Sequence, residues 1–553
     1  MSSEVSTMKS EVKDAPDSTH RRLKERHVQL IGIGGTIGTA LFVAIGRGLA
    51  LGGPANLFLG FTIWCSVILC VNNCLAEMVS YLPISSPFIR FAGRFVDEAF
   101  GVAVGYNFFI FEAIMVPFEI IAGAVILEFW NVGQYVNTAV FMAIIIVGYA
   151  LINLFAVKWY GEAEFWMALG KVVLIVGLLI FTFLTMLGLN PLHDRFGFRY
   201  WENPGAFAEF YYTGTLGRFM GFLICFIQAC FTIAGPDYVS MAAGETENPR
   251  KILPKAFNAV FYRLACFFVL GSLAVGVLVP HNSPELIDIF IHNKPAAGAA
   301  GSPYVLAMQR LQIGVLPHIV NALIFTSALS AGNSYVFCAS RSLFGLALEG
   351  KAPKLFTRTN RFGVPVYCVL LVLLVSLLCF LQLSTGTATV FNWFIGLVTA
   401  SQLLNYAVCS FTYIMFYRAL KAQGIDRRTL PFRGLGQPYT GYYALFFTFT
   451  MTWVGGFTVF LPGNWDVPTF FFSYTMPVLI PAIFVVWKIV KKTRWMRADE
   501  VDLVDGLEEI EAHEAGYKEV PGWFEERWQR WSGKFTIRRR TVVDVPVVVE
   551  KEI

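Results

Sequence analysis

The sequence predicts an all-α polytopic membrane protein with twelve transmembrane helices. Its composition is the first observation: 56% of the 553 residues are hydrophobic, 15% are charged, and the mean hydropathy is +0.58. Soluble globular chains are far more polar. The second observation is a series of long apolar runs, and the third is that two of these runs contain residues that interrupt helices.

The apolar runs define the predicted domain organisation. About 20 apolar residues suffice to span the roughly 30 Å hydrocarbon core of a bilayer. Runs of at least about that length follow one another between two polar tails, 1–27 and 491–553, and define a transporter-sized domain at 28–490. They occupy residues 28–51, 54–75, 101–130, 137–157, 165–189, 217–242, 256–280, 315–347, 364–383, 387–417, 441–462 and 468–490.

Basic residues near the ends of the runs predict the orientation. Arg21, Arg22, Lys24 and Arg26 precede the first run, and the segments on the same side of the membrane carry most of the other Lys and Arg near span ends. Cytosolic loops are enriched in these residues. We therefore expect both termini in the cytosol. The net charge of +5 comes largely from those loops and does not indicate a nucleic-acid partner.

The first run contains a cluster of glycines. Gly32, Gly34, Gly35 and Gly38 fall within the stretch LIGIGGTIGTALFV, residues 30–43. Glycine weakens the interior of a helix. The cluster could serve close helix packing, because Gly34 and Gly38 have the GxxxG spacing of helix contacts. Alternatively, the helix is interrupted at this point.

The sixth run carries a second interruption, which favours an interrupted helix in the first run as well. In FTIAGPDYVSMAAGE, Gly235 and Pro236 break an apolar helix, because proline lacks a backbone donor and collides with the preceding turn. Interrupted helices five apart are typical of a leucine-transporter-like 5+5 inverted repeat. We expect the repeats at about 28–189 and 217–417, with two peripheral helices at about 441–490.

Unpaired backbone at mid-membrane indicates what such a site binds. Each unpaired N–H or C=O group in hydrocarbon costs several kcal/mol, so it persists only inside protein or along a cavity with something to bind. The N-terminal end of a half-helix suits a carboxylate, and freed carbonyls suit an ammonium group. An amino acid carries both groups, so the pattern favours a secondary transporter of amino acids.

Four stretches carry a family resemblance: GIGGTIGTALF, YGEAEFW with Lys171 beyond it, AAGETENPRK after the sixth run, and SALSAGNSYVFCASRSLFGLALEGKAPKLF in the eighth. They closely resemble fungal amino-acid permeases of the amino acid–polyamine–organocation superfamily, and the likeness extends over about residues 20–490. The resemblance implies a plasma-membrane, proton-coupled amino-acid importer. It also implies ten core helices in two inverted repeats and two peripheral helices.

The resemblance implies substrate-binding residues at the first interruption. Gly38, Thr39 and Ala40 are expected to form the break, with Thr36 before it, and their backbone and hydroxyl groups would meet the substrate's carboxylate and ammonium. Ala40 stands where a glycine is common in the family, which slightly obstructs the approach of a ligand to the backbone.

At the second interruption, Phe231 resembles the aromatic residue that closes over bound substrate in the family. Asp237 stands where relatives commonly have glutamate. The residues expected to supply backbone groups to the substrate are Thr232, Ile233, Ala234 and Gly235.

Two acidic residues lie within the third run. Glu112 and Glu119 are nearly two helical turns apart and therefore share one face, which we expect to point inward. Intramembrane carboxyls are functional candidates, as proton carriers or partners of a cation. Glu119 resembles a family position and could equally be a structural hydrogen-bonding group. Glu112 replaces an apolar residue of many relatives and hints at a more cationic substrate.

Lys171 lies about two turns into the fifth run and resembles the lysine that occupies a sodium-like site in proton-coupled relatives. With Glu119, it is the expected proton-coupling residue. Its side chain could instead snorkel to the nearby interface, or it could pair structurally with Glu164.

We therefore expect a secondary active permease that imports amino acids with protons by alternating access, with neutral and proline-like amino acids as the favoured substrates. One alternative is a carrier of cationic or quaternary amines, such as polyamines, carnitine or basic amino acids, that uses Glu112. Another is a nutrient-sensing transporter-receptor with little flux, whose tails bind cytosolic regulators. The sequence contains no catalytic nucleophile–base pair, metal cluster or phosphate loop, so we expect neither an enzyme nor a cofactor. The expected partners are the small-molecule substrate, protons and membrane lipids.

Overall fold

The computed structural model describes residues 23, 25, 28–29, 37–155, 157–291, 301–360 and 363–516. Thr36 and the glycines at 32, 34 and 35 lie outside the described residues, as does the basic, aromatic C-terminal tail. The chain forms two compact units, Met1–Gly506 and Leu507–Ile553. The second unit contributes one described helix, Leu507–Gly516. The described helices that are long and apolar enough to cross a membrane belong to the first unit.

Helices make up the regular secondary structure of the described part of the first unit, apart from one isolated backbone bridge. In chain order the α-helices are α1 Ile45–Tyr81, α2 Pro87–Phe95, α3 Glu98–Leu127, α4 Thr138–Phe155, α5 Val157–Met186, α6 Gly214–Thr232, α7 Pro236–Met241, α8 Pro249–Arg263, α9 Leu270–Leu278, α10 Pro284–Phe290, α11 Pro303–Arg310, α12 Leu316–Leu348, α13 Val366–Ser376, α14 Gln382–Thr385, α15 Thr387–Ala422, α16 Tyr439–Val454 and α17 Val467–Lys491. Three segments have π-helical hydrogen bonding: Ala40–Ala44, Trp201–Gly205 and Leu264–Val269.

Ten helical segments of the described residues are long and apolar enough to cross a membrane. The all-α membrane architecture predicted from composition and apolar runs is therefore confirmed. Two features account for the difference from the twelve predicted spans. Gly53, with φ 81° and ψ 169°, divides α1 at the point where the first two predicted spans meet. The helix α16, which falls in the eleventh predicted span, has 16 residues.

The position of Gly53 explains why this residue is glycine. A left-handed φ favours glycine because it has no Cβ. A Cβ at this position would also lie 2.6 Å from the backbone nitrogen of Ala208, so the loop before α6 packs directly against the bend. Pro54 follows and starts the second part of the helix, as proline does at the first positions of helices.

The helices form an inner layer and an outer layer. Helices α3 and α15 are buried along most of their length, whereas only about a fifth of α4 and of α17 is buried, and both carry exposed apolar side chains. Exposed apolar faces of this kind are what hydrocarbon accommodates. Aromatic side chains fill the space between inner helices, as where Phe118 of α3 contacts Phe231 of α6 with ring centroids 5.2 Å apart.

A short segment near the N-terminus is attached to the loop after α7. The backbone N–H of Leu23 donates to the carbonyl of Glu245 at 2.8 Å, and its carbonyl accepts from the N–H of Glu247 at 3.0 Å. Lys255 of α8 also binds the carboxylate of Glu25. The segment before the first apolar run and the loop after α7 therefore lie on the same face of the molecule.

Candidate functional site

The first predicted interruption is present. Ile37 and Gly38 are not helical, and the chain enters a π-helical turn at Ala40–Ala44 before α1. A Cβ on Gly38 would lie 2.9 Å from Oε1 of Glu119, so glycine leaves room for that carboxylate against the backbone. Gly38 therefore lies at an interruption, whereas Gly34, the other glycine of the GxxxG spacing, is outside the described residues.

The second predicted interruption is present as well. Helix α6 ends at Thr232, the next three residues are extended or irregular, and α7 begins at Pro236. Gly235 has φ 142°, a conformation that side-chain-bearing residues rarely adopt. The carbonyl of Ala234, which is free of the helix, accepts a long hydrogen bond of 3.4 Å from Nη2 of the buried Arg263.

The two interruptions face a common small cavity. Its volume is about 20 Å³, which is enough to hold about one water molecule. Entry of an amino acid therefore requires the lining side chains to move apart. The cavity is lined by Gly38, Ala40, Phe111, Met115, Glu119, Phe231, Thr232, Ala234, Tyr238, Tyr335, Val398 and Gln402.

Half of the predicted substrate residues line this cavity, and the others take different places. Ile233 and Gly235 lie within the second break and Thr39 at the helical edge of the first, but these three residues do not line the cavity. Glu112 and Asp237 are buried near the second break. Thr36 falls outside the described residues. Phe231 packs on Phe118, which stacks on Phe391 of α15 with centroids 4.7 Å apart. Movement of Phe231 would therefore change its ring contact with Phe118 of α3, which in turn contacts Phe391 of α15.

Glu119 joins α3 to the first interruption. The hydroxyl of Thr39 donates to its Oε2 at 2.8 Å, and both residues are buried. The other oxygen, Oε1, faces Gly38. Lys171 of α5 is close enough to interact with the same carboxylate electrostatically. Protonation of Glu119 would thus change the contacts of the broken helix directly.

Lys171 is buried, with 1% of its side chain exposed, so snorkelling does not describe it. Its Nζ lies 3.9 Å from Oε1 of Glu164, and the Ser330 hydroxyl of α12 donates to Oε2 of Glu164 at 2.9 Å. Glu164, the structural partner foreseen for Lys171, and Glu119, the other expected proton-coupling residue, are therefore both in its surroundings. Glu164 lies on the same helix as the lysine and links α5 to α12 through Ser330, while the interaction with Glu119 links α5 to α3.

A second acidic group lies beside the cavity. Glu112 has no exposed surface, and Asp237 is 2% exposed. Among the described residues, the groups that interact electrostatically with Glu112 include Asp237, Tyr238, Tyr335 and Cys338, and none of these is a cation. Asp237 in turn lies near Arg263. Of the two carboxyl groups, Asp237 is the one that lies near this arginine.

Several residues of this region were not predicted from the sequence. Tyr335 and Gln402 place polar groups in the cavity wall from α12 and α15, and Tyr335 lies near Gly38. No sequence signal distinguished them from other polar residues of long helices. Arg263 could have been found, because an arginine in the seventh apolar run is an intramembrane charge of the kind that marks functional sites.

These features define an integral membrane transporter of the kind whose site lies between two broken helices. The family model described as Amino acid permease matches residues 27–499, and the chain belongs to that family. It is therefore a multi-pass membrane permease for amino acids rather than an enzyme.

Relatives share most of the chain. The sequence is 47% identical to the general amino acid permease AGP2 of Saccharomyces cerevisiae over 90% of this chain and 84% of that protein. It is 41% identical to the probable proline-specific permease put4 of Schizosaccharomyces pombe, over 87% of both chains. It is 39% identical to a proline-specific permease of Emericella nidulans, over 94% of this chain and 95% of that one. The fungal-permease resemblance read from the sequence motifs is thereby confirmed.

Proposed function

We propose that this permease imports neutral amino acids, including proline-like ones, together with protons across the plasma membrane by alternating access. The observation that carries the proposal is the convergence of both broken helices on one cavity whose wall includes the Glu119 carboxyl. A zwitterion supplies partners for the backbone groups that the breaks leave free. The proline-specific function named for two relatives supports the choice of substrate.

Recognition of the substrate's two charged ends follows from the breaks. The backbone N–H groups at the start of the helical segment from Ala40 would receive the carboxylate, because that end carries the positive pole of the helix dipole. Carbonyls of Ile233 and Ala234, released from helix α6, would accept the ammonium group. The Phe231 side chain would move away from its present position in the cavity wall and then pack over the bound substrate.

The proposed architecture has twelve spans in two inverted repeats of five with two peripheral helices. The bend at Gly53 supports counting two spans within the helix that it divides, and the 16-residue α16 supports an eleventh. Broken helices in the first and sixth of these spans fit the repeat. Rocking of one helix bundle against the other would open the cavity to each side in turn.

Both termini would lie in the cytosol. The attachment of Leu23 to the loop after α7 puts the N-terminal segment beside Arg250, Lys251 and Lys255. A face with such a concentration of cations is the one that the positive-inside rule assigns to the cytosol.

Proton coupling would use Glu119 and Lys171. The carboxyl contacts the broken helix through Thr39 and interacts with the lysine, so gain of a proton changes both contacts together. The lysine would hold α5 near α3 and α12 in place of a bound metal cation. Release of the proton on the inner side would restore the starting contacts.

A panel of radiolabelled amino acids offered to a permease-deficient fungal host tests this proposal. We expect uptake of proline and other neutral amino acids that collapses when a proton uncoupler is added and that survives replacement of external sodium. Host cells without the gene give the background. Uptake that is indifferent to the uncoupler, or no uptake of any amino acid, contradicts the proposal.

A second candidate is a permease for cationic substrates, such as basic amino acids or polyamines. Glu112 and Asp237 favour it, because both carboxyls are buried and Glu112 has no cation among its electrostatic neighbours in the described part of the chain. A buried charge normally requires a partner. A positively charged substrate group could serve as that partner.

Competition separates the two candidates. If the cationic substrate is the true one, arginine, spermidine or carnitine should compete against labelled proline, and Glu112→Gln should relieve that competition selectively. If neutral amino acids are the substrates, these amines should fail to compete and Glu112→Gln should leave proline affinity unchanged.

A further inference from the structure

A second, larger cavity shares none of its lining residues with the cavity at the two breaks. It has a volume of about 370 Å³ and is formed by the C-terminal end of α15 and the loop that leads to α16. Its walls include Tyr417, Leu420, Lys421, Ile425, Asp426, Arg427, Arg428 and Arg433. Four of these residues are cationic and one is acidic.

One of the four cations is already neutralised. Arg427 donates from Nε and Nη2 to the two carboxylate oxygens of Glu77 in α1, each at 2.7 Å, and its guanidinium lies over the ring of Tyr417. The buried Glu77 carboxylate also accepts from the N–H of Gly434 at 2.9 Å. This ion pair connects the loop to α1. Because Glu77 balances the charge of Arg427, this arginine is not available to an anionic ligand.

The other three cations have no such carboxylate partner. Lys421, Arg428 and Arg433 are exposed and form no ion pair with any residue in the described part of the chain. The single carboxylate in the wall, Asp426, accepts the backbone N–H of Arg428 at 2.9 Å and caps a short turn. The cavity therefore presents a net positive charge held by a rigid loop.

Apolar surface begins next to these cations. Leu435 is 84% exposed, Tyr439 is 79% exposed, and they follow Arg433 closely in the chain. The helix α16 then exposes Phe446 and Phe449. A ligand that has an anionic head and an apolar body would satisfy both surfaces, whereas a free phosphate would satisfy only the cations.

We propose that this cavity binds the phosphate headgroup of an anionic phospholipid in the leaflet that we assign to the cytosol. Lys421, Arg428 and Arg433 bind the headgroup, and the acyl chains lie along α16. Basic pockets at the cytosolic ends of transmembrane helices suit such headgroups, because each nearby cation attracts anionic lipid. The site does not depend on which substrate the permease carries.

A titration of purified full-length protein in detergent with short-chain phosphatidylserine tests the proposal, with short-chain phosphatidylcholine and inorganic phosphate in parallel. The test variant combines Lys421→Gln, Arg428→Gln and Arg433→Gln. The control combines Lys354→Gln, Arg358→Gln and Lys492→Gln, which removes three exposed cations outside the cavity. Thermal unfolding of each protein checks that it is folded.

The wild type and the control should bind phosphatidylserine alike, and the test variant should bind it about 100-fold more weakly, since each cation near the membrane surface contributes about fivefold. The wild type should bind phosphatidylcholine more weakly than phosphatidylserine. The test variant should bind the two lipids with equal affinity. Equal phosphatidylserine affinity in the test variant and the control overturns the site. Inorganic phosphate that binds as well as phosphatidylserine overturns the assignment to a lipid.

If the test variant does not fold, the single substitution Arg433→Gln replaces it. This residue is exposed and its side chain has no ion pair among the described residues, so folding should not depend on it. A loss of about fivefold in phosphatidylserine affinity supports the proposal, and unchanged affinity contradicts it.

Discussion

The two helix breaks that face the cavity are maintained in different ways. At the first break, a side chain from another helix holds the chain: Glu119 accepts the Thr39 hydroxyl and occupies the space that Gly38 leaves open. At the second break, the backbone itself sets the conformation, through the left-handed Gly235 and the proline after it. Only the first break has an ionisable carboxyl from another helix in direct hydrogen-bonded contact with its own described residues.

This difference separates two tasks. A break held by an ionisable carboxyl can respond to a proton, because gain or loss of charge alters the hydrogen bond and the interaction with Lys171. A break set chiefly by glycine and proline should depend less on charge, even though Arg263 donates to its Ala234 carbonyl. We therefore expect the first break to couple transport to protons and the second to provide a fixed surface for the substrate.

Glu119→Gln should have the largest effect on transport. The amide can still accept from Thr39, but it cannot exchange a proton or balance Lys171. We expect uptake driven by a proton gradient to fall about 100-fold, within the usual range of coupling between two ligands, and the remaining uptake to lose its dependence on external pH. Initial rates at several external pH values measure both.

The matched control for Glu119→Gln is Glu98→Gln. Glu98 is an exposed carboxyl at the start of the same helix, α3. Its removal should leave uptake and pH dependence as in the wild type. A Glu119→Gln permease that keeps the wild-type pH profile would assign the coupling to another group.

Gly235→Ala should reduce stability without any dependence on pH. A side chain at φ 142° costs about 1–3 kcal/mol, so the equilibrium constant for folding in detergent should fall about 5- to 150-fold. Thermal unfolding at two pH values measures this loss. If the loss changes with pH, the second break is also controlled by charge.

Gly345→Ala is the control for that substitution. Gly345 lies in the helix α12 with open space around the position of a Cβ, so alanine should be tolerated or slightly stabilising. A general intolerance of alanine for glycine would reduce the stability of both variants alike.

Gly38→Ala should impair uptake while leaving the fold intact. The added methyl group would meet Oε1 of Glu119, the end of a flexible side chain, which can move aside at the expense of its bond with Thr39. A hydrogen bond to a charged group is worth about 1.5–3 kcal/mol, so uptake should fall about tenfold or more. Uptake at matched surface expression measures the effect.

A double-mutant cycle sharpens this result. If Gly38→Ala acts by displacing Glu119, it should add little to the defect of Glu119→Gln, since residues in contact are not additive. Fully additive losses would show that the glycine serves another purpose, such as backbone contact with the substrate.

Thr39→Ser should have the smallest effect, because serine keeps the hydroxyl that donates to Glu119. We expect uptake within about threefold of the wild type, whereas Thr39→Val, which lacks the donor, should lose about tenfold. Equal uptake by the two variants would show that the Thr39 hydroxyl takes no part in coupling.

The sequence anticipated much of this site through chemistry that is local. Proline and glycine in an apolar run predict a break, because they destabilise a helix whatever residues lie far away in the chain. Charged residues in an apolar run are predicted to be buried inside the protein, because hydrocarbon excludes them. Glu112, Glu119 and Lys171 are all buried.

Contacts across the bundle could not be predicted in this way. Tyr335 and Gln402 reach the cavity because α12 and α15 cross there, and nothing in their own stretches of sequence fixes that crossing. The cationic loop before α16 likewise became a candidate site only when Glu77, far away in the chain, was found to neutralise Arg427 and no other cation of its wall.

The sequence by itself determined that this chain crosses a membrane many times, where its helices break and which of its charges must be buried, since each of these follows from the free energy of transferring local groups into hydrocarbon. The tertiary structure alone decided which partner each buried group meets. Side-chain pairing across helices depends on how the helices pack, and the contacts of Glu119 with Thr39 and of Arg427 with Glu77 are such pairs.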